Sequence, residues 1–240
     1  MSRERHAPLG RSVRSISIPK AGGGQRRLTV LGPDEAAAYA RAVGRLTPAI
    51  ERRLGPEVFA NRAPGAGSLE PWRTARARWK RSAAALLRTG PIVTMDVSQC
   101  YESITPEAAS KALGALHVSD AAVREVVGLL GAFRRAGVPG IPVGPEPSAI
   151  LANAVLAGVD EGLRGQGVAF VRWVDDLVLS PSHPAALGAG ERAVETALAE
   201  LGLVSNPAKH HRFADVEEAR ASVLGRGAGA GSTIEILVAP

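Results

Sequence analysis

Cysteine is almost missing from this 240-residue chain: Cys100 stands alone, so no disulfide can close within the chain, and a reducing, cytoplasmic setting is expected. Aromatic residues make up only 4% of the sequence, although hydrophobic residues reach 45%, so a core must be built mainly from aliphatic and alanine side chains. Lysine is scarce as well, at positions 20, 80, 111 and 209 among 29 basic residues, which is the arginine bias of GC-rich coding. No uninterrupted apolar run approaches the ~20 residues of a membrane span. The start, Met1-Ser2-Arg3-Glu4-Arg5-His6, lacks the apolar segment of a secretory signal, so no membrane partner is expected. Acid is short in one place only. Residues 1–90 hold 18 Lys+Arg against 6 Asp+Glu, which leaves 11 against 17 for residues 91–240. A polyanion-binding surface in the first part and a cation-binding site in the second would produce that asymmetry.

Against this background one stretch carries the most information. Asp175 and Asp176 sit between Phe170-Val171-Arg172-Trp173-Val174 and Leu177-Val178-Leu179-Ser180, two short runs of strand formers. The pattern predicts a tight β-hairpin with Asp175-Asp176 as its two-residue turn. Adjacent carboxylates repel, and a rigid hairpin is a sensible place for them where a divalent cation offsets the charge. Taken alone, the motif also fits a solvated acidic turn. A third carboxylate, Asp96, closes a predicted strand from Ile92 to Val97.

Around these acids the sequence reads as alternating strands and helices. Two strands, Val13–Ile18 and Arg27–Leu31, flank the turn Gly22-Gly23-Gly24, and Pro33-Asp34 opens a helix to about Leu54. Glu70–Leu87 reads as a strongly basic helix carrying Trp72 and Trp79 as core anchors, and Gly90-Pro91 marks a boundary. Helices are expected over 106–116, 119–135, Ser148–Leu163 and 184–201, with short strands over Lys209–Phe213 and Thr233–Val238. Strands and helices are both expected. A strand bearing Asp96 and a hairpin bearing Asp175-Asp176 suit a nucleotidyl transferase, in which two metal ions about 3.5–4 Å apart activate a hydroxyl and stabilise departing pyrophosphate.

Taken in order, these motifs resemble a bacterial reverse transcriptase of the group II intron, retron, abortive-infection or defence-associated kind. Ile18-Pro19-Lys20 followed by Gln25-Arg26-Arg27-Leu28 is similar to the fingers hairpin that grips an incoming triphosphate, which assigns Lys20 and Arg26 to nucleotide binding with Arg27 as the substitute. Val93-Thr94-Met95-Asp96-Val97-Ser98 through Tyr101 and Ile104 looks like the first palm motif. There Asp96 would ligate metal and Tyr101 would exclude a ribose 2′-hydroxyl. Gly140-Ile141-Pro142-Val143-Gly144-Pro145, with Leu151-Ala152-Asn153, is similar to the motif that cradles template and nucleotide and brings in Gly144. Val143 stands where many relatives have Gln, which removes a hydrogen-bonding side chain there. Trp173-Val174-Asp175-Asp176 takes the place of Tyr/Phe-x-Asp-Asp. Leu201-Gly202-Leu203 through Asn206-Pro207-Ala208-Lys209 looks like the motif whose Lys protonates pyrophosphate, with His210 as the neighbouring alternative.

The resemblance implies the α+β fold class and a polymerase right hand of fingers and palm, with a mainly antiparallel palm sheet backed by helices and no evident thumb. Residues 1–90 would form a fingers-like basic region and 91–240 the palm, with 105–140 assignable to the fingers instead. It implies RNA-directed DNA synthesis from dNTPs on an RNA template and nucleic-acid primer, with Mg²⁺, or Mn²⁺, held by Asp96, Asp175 and Asp176, and a role in antiphage defence. A homo-oligomer, a structured RNA or a partner protein would replace the thumb. The alternatives are a catalytically impaired nucleic-acid-binding subunit and a template-independent terminal transferase.

Overall fold

The computed structural model describes residues 12–19, 24–65, 68–88, 91–180 and 184–225. The expected strand Thr233–Val238, most of the glycine turn before Arg26, and Lys20 lie outside the described residues. In chain order the elements are β1 (Arg14–Pro19), β2 (Gln25–Val30), α1 (Pro33–Arg53), α2 (Trp72–Leu86), β3 (Ile92–Met95), α3 (Cys100–Ser103), α4 (Pro106–Gly114), α5 (Asp120–Arg135), α6 (Glu146–Gly165), β4 (Ala169–Trp173), β5 (Asp176–Ser180), α7 (Pro184–Glu200), β6 (His211–Phe213) and α8 (Val216–Gly225).

Four strands form one antiparallel sheet in the order β4-β5-β3-β6, and β1 and β2 make a separate hairpin. The sheet is covered on both faces, which is why β3 and β5 read as continuous apolar runs rather than as alternating strands. Val93, Met95, Phe170, Leu177 and Leu179 face a large cluster shared with the helices α1 and α4–α7. Ile92, Val171, Val178 and Phe213 face a smaller one, closed by Trp79, Ala83 and Leu87 of the α2 region and by Ala219 and Val223 of α8. At the centre of the larger cluster lies α6, which buries Ile150, Leu151, Val155, Leu156 and Val159 and uses Ala152, Ala154 and Ala157 to let neighbouring helices approach. Tyr39, Leu46 and Ile50 of α1 enter the same cluster, so the first ninety residues and the remainder share one core.

Local chemistry sets the helix starts. Pro33 occupies the first turn of α1 with Asp34 and Glu35, and Arg52 and Arg53 close its last turn, all favourable to the helix dipole. Thr105 and Ser119 cap α4 and α5 through their side chains. Hydrophobic spacing gives no hint of α8, because Ala219 and Val223 are its only buried residues. Its signal is polar: the Glu218 amide donates to Asp215 Oδ1 at 2.8 Å, the first half of a capping box.

Two loops fix the space beside the sheet. Thr29 N donates to Val143 O at 2.8 Å and Ile141 N to Tyr101 O at 2.9 Å, which ties the β1-β2 hairpin, the 140–144 loop and α3 together. Gly140 is required there by contact, since a Cβ would lie 2.2 Å from Tyr101 O. At Gly144 the backbone itself selects glycine, with φ at +120°. Gly140→Ala is therefore expected to destabilise the protein by about 1–3 kcal/mol in urea denaturation. Gly158→Ala, in α6 where a Cβ meets open space, should shift stability the other way, by about 0.5–1 kcal/mol. Equal effects at the two positions would contradict the close approach.

Candidate active site

Three carboxylates converge at one edge of the sheet. In the β3/β5 pairing Met95 faces Leu177, so the next step along each strand sets Asp96 opposite Asp176. Asp175 reaches the same place from the hairpin. Among the described residues these three offer carboxylate oxygens that all lie within 4.8 Å of one another.

The turn differs from the expected one. Trp173 pairs with Asp176, so the two turn residues are Val174 and Asp175, and Asp176 is the first residue of β5. Val174 has φ at +56°, a left-handed conformation that a β-branched residue adopts only under compulsion. The compulsion is Arg172. Its Nη1 donates to Val174 O at 2.7 Å and to Asn153 Oδ1 at 2.9 Å, while Nε and Nη2 grip both oxygens of Asp160 at 2.7 Å each. Neither partner of this ion pair has any exposed side-chain surface. Asn153 in turn donates to the carbonyls of Ala60 and Asn61, and the Arg172 backbone exchanges hydrogen bonds with Glu57 and Phe59, which covers the outer edge of β4.

Sequence reasoning missed this network, although a signal was present. Arg172 shares a strand face with Phe170, and Asp160 sits on the apolar α6, so two opposite charges occupy two slots that pattern reserves for apolar residues.

Asp96 is held from the other side. Asn206 N donates to its carbonyl at 2.7 Å, Asn206 Nδ2 to Oδ1 at 3.0 Å, and Lys209 Nζ to Oδ2 at 2.6 Å. Lys209 also stands 3.6 Å from Asp176 Oδ1. Burial opposes the charge on Lys209, but the hydrogen bond it donates to Asp96 and the charges of Asp176 and Asp96 outweigh it, so the ammonium is held above its ordinary pKa. Asp175 moves the opposite way. Burial, then the charges of Asp176 and Asp96, push its carboxyl up to about 7. His210 turns aside to Glu191 Oε1 of α7 at 2.7 Å, so of these two neighbours it is Lys209 that meets the cluster.

The remaining expected residues surround the acids. Tyr101 packs on the core beside Cys100, and its phenol is pushed above the ordinary range by burial first, then by Cys100 and Asp175, with Arg26 acting against them. Arg26, on β2, thus lies within electrostatic reach of Tyr101, and Gly144 approaches the same strand at Thr29. Trp79 is buried, as expected of a core anchor, whereas Trp72 is partly exposed. Arg76 was not singled out by sequence. Its guanidinium lies 4.1 Å from the ring centroid of Trp79 and 4.9 Å from that of Trp173, and Asp176 acts on its charge.

The donor set is all carboxylate oxygen, drawn from two separate segments, and an ammonium already lies against it. Hard divalent cations take such oxygen sets, whereas structural zinc prefers nitrogen and sulfur. The residues present therefore fit a divalent metal. Among the described residues no helix is long and apolar enough to cross a membrane.

Comparison with known proteins gives a consistent picture. The family model for reverse transcriptase (RNA-dependent DNA polymerase) matches residues 18–226. No curated protein sequence matches the chain. Among solved structures, apo telomerase from Candida tropicalis truncated from its C-terminal domain superposes with a TM-score of 0.56 at 14% identity, over 86% of this chain and 51% of that one. Telomerase from Candida albicans in complex with a TWJ fragment of telomeric RNA gives a TM-score of 0.55 at 14% identity, over 83% of this chain and 41% of that one. The corresponding Candida tropicalis complex gives 0.57 at 13%, over 87% and 41%. The chain thus spans about half, or less, of the length of these structures, which share its fold.

Two outcomes test the site. Arg172→Met leaves Asp160 buried without its partner and should cost about 3–5 kcal/mol in chemical denaturation, whereas Arg172→Met/Asp160→Leu should recover most of that. If the single variant is as stable as wild type, the pair does not hold the turn. Asp175 gives a pH signature, because its carboxyl titrates near 7 when folded and near ~3.9 when unfolded. The folded state binds the extra proton between those values, so stability is lost as pH rises from about 4 to about 7. In EDTA, the Tm of Asp175→Asn relative to wild type should therefore grow from about pH 5 to about pH 8. A constant or shrinking difference would contradict the raised carboxyl.

Proposed function

This chain belongs to the reverse transcriptase (RNA-dependent DNA polymerase) family, and on that premise we propose that it is an RNA-directed DNA polymerase. In this reading it adds dNTPs to a primer 3′-hydroxyl, with Asp96, Asp175 and Asp176 holding Mg²⁺, or Mn²⁺ in its place. The observation that carries the reading is the convergence of three carboxylates within 4.8 Å on the palm sheet. Bound at those oxygens, the cations supply Lewis acidity toward the attacking hydroxyl and the transferring phosphate.

The chain's own residues position the reactants and move the proton. Arg172 fixes the turn so that Asp175 and Asp176 are presented together, which places the acids before substrate arrives. Lys209, an ammonium 2.6 Å from Asp96, is the proton donor for departing pyrophosphate. Arg26 on β2, together with Lys20 of the same sequence motif, is proposed to meet the triphosphate, with Gly144 giving the backbone close access. Tyr101, beside Asp175 and packed on the core, is proposed to exclude a 2′-hydroxyl.

In this reading residues 1–90 act as fingers and 91–240 as palm, with 105–140 as the segment open to either. The RNA-bound state of the telomerase structures supports RNA as template. The order of the motifs supports the bacterial group II intron, retron and defence-associated branch, and with it a cytoplasmic role in antiphage defence. A second copy, a structured RNA or a partner protein is proposed to help hold the primer and template.

Primer extension on poly(rA)/oligo(dT) with dTTP and Mg²⁺ tests the proposal. Incorporation that requires template is expected, and Asp96→Asn or Asp176→Asn should abolish it. Lys209→Ala should slow single-turnover incorporation by roughly 10²- to 10⁴-fold while leaving primer–template affinity unchanged. Incorporation without template would make the chain a terminal transferase. No incorporation with either metal, while Asp175→Asn binds RNA like wild type, would make it a binding subunit.

A further inference from the structure

The basic helix α2 lies on the sheet face opposite α6, and three of its five cations lie along one flank. Ala75, Trp79 and Ala83, at intervals of four residues, are the buried face against the sheet. Arg73, Arg76 and Lys80, at i, i+3 and i+7, form a second stripe on one flank of that face. Arg76 shows which way the flank points, because its guanidinium rests on Trp173, the last residue before the catalytic turn, and feels the charge of Asp176. The stripe therefore passes the acidic site at Arg76.

The charges on this flank have no carboxylate on their own helix. Several cations on other elements are matched by carboxylates: Arg53 by Glu161, Lys111 by Glu200, Arg134 by Glu107 and Arg212 by Glu191. Helix α2 itself contains no acidic residue; its Arg78 is matched by Glu70 from the preceding loop, while Arg73 and Lys80 on the other flank are exposed. A polyanion approaching three carboxylates meets repulsion, and a flanking row of cations offsets it. From Arg73 to Lys80 the helix rises about 10 Å, close to three nucleotide steps at ~3.4 Å along one strand.

We propose that the Arg73-Arg76-Lys80 stripe of α2 binds the phosphate backbone of the nucleic-acid strand whose end lies at Asp96, Asp175 and Asp176. The inference deepens the proposed function and rests on its nucleic-acid substrate. The contact is electrostatic and independent of base sequence, with Arg73 and Lys80 meeting phosphates while Arg76, stacked between Trp79 and Trp173, fixes the path toward the turn.

The test is fluorescence anisotropy with the full chain and a labelled RNA–DNA hybrid bearing a recessed 3′ end, without dNTP or divalent metal, over a series of NaCl concentrations. Each lost phosphate contact should flatten the slope of log K against log salt by about 0.9. Arg73→Ala/Lys80→Ala should therefore reduce that slope by about 2 and weaken binding similarly for hybrids of unrelated sequence. The comparison variant, Lys111→Ala/Arg192→Ala, removes the same charge from α4 and α7 on the far side of the sheet and should leave the slope unchanged. An α2 variant with the wild-type slope, or the same loss from both variants, would overturn the proposal. If wild type binds no hybrid, the nucleic-acid substrate itself fails and the inference with it. If wild type binds through α2 but extends no primer, the inference stands and the polymerase reading falls.

Discussion

A guanidinium with no exposed surface holds the active edge of this fold together. Arg172 joins the central helix, through Asp160 and Asn153, to the hairpin turn, through the Val174 carbonyl. A buried ion pair of this kind adds little net stability over an apolar pair, because desolvation offsets much of the attraction. Its value is geometric. Only a planar donor with several N–H groups can satisfy a carboxylate, an amide and a main-chain carbonyl at once. By doing so it keeps a valine left-handed and sends Asp175 toward the other acids.

Charge is balanced around the resulting cluster rather than removed from it. Burial first, then the neighbouring carboxylates of Asp176 and Asp96, raise the carboxyl of Asp175, and Lys209 answers from the segment after α7. Arg76 answers from α2. The lopsided charge of the sequence thus becomes a spatial arrangement, in which basic residues of the first ninety positions stand beside acids of the last hundred and fifty. Neither half of the chain carries the balance alone.

Much of the fold could be read from residues because local rules agreed with tertiary ones. Amphipathic α1 and the capped, amphipathic α4 and α5 declared themselves, and apolar β3 and β5 marked a sheet covered on both faces. The acids Asp96, Asp175 and Asp176 were visible as an ordered set, and they do meet. The turn was misplaced by one residue because pattern places Asp, not Val, at a tight bend. Only the long-range hold of Arg172 reverses that preference. Helix α8 stayed hidden because it buries so little, and Arg76 because its ring partner Trp173 is almost a hundred residues away.

The central claim is that three carboxylates, set by the Arg172 turn and the β3 register, act as one divalent-cation site. Electron paramagnetic resonance of Mn²⁺ titrated into the protein at neutral pH tests it most directly. Saturable loss of the free Mn²⁺ signal is predicted for wild type and absent for Asp96→Asn, with Lys209→Met binding at least as tightly as wild type because a competing ammonium is gone. Identical titration curves for wild type and Asp96→Asn would contradict the claim.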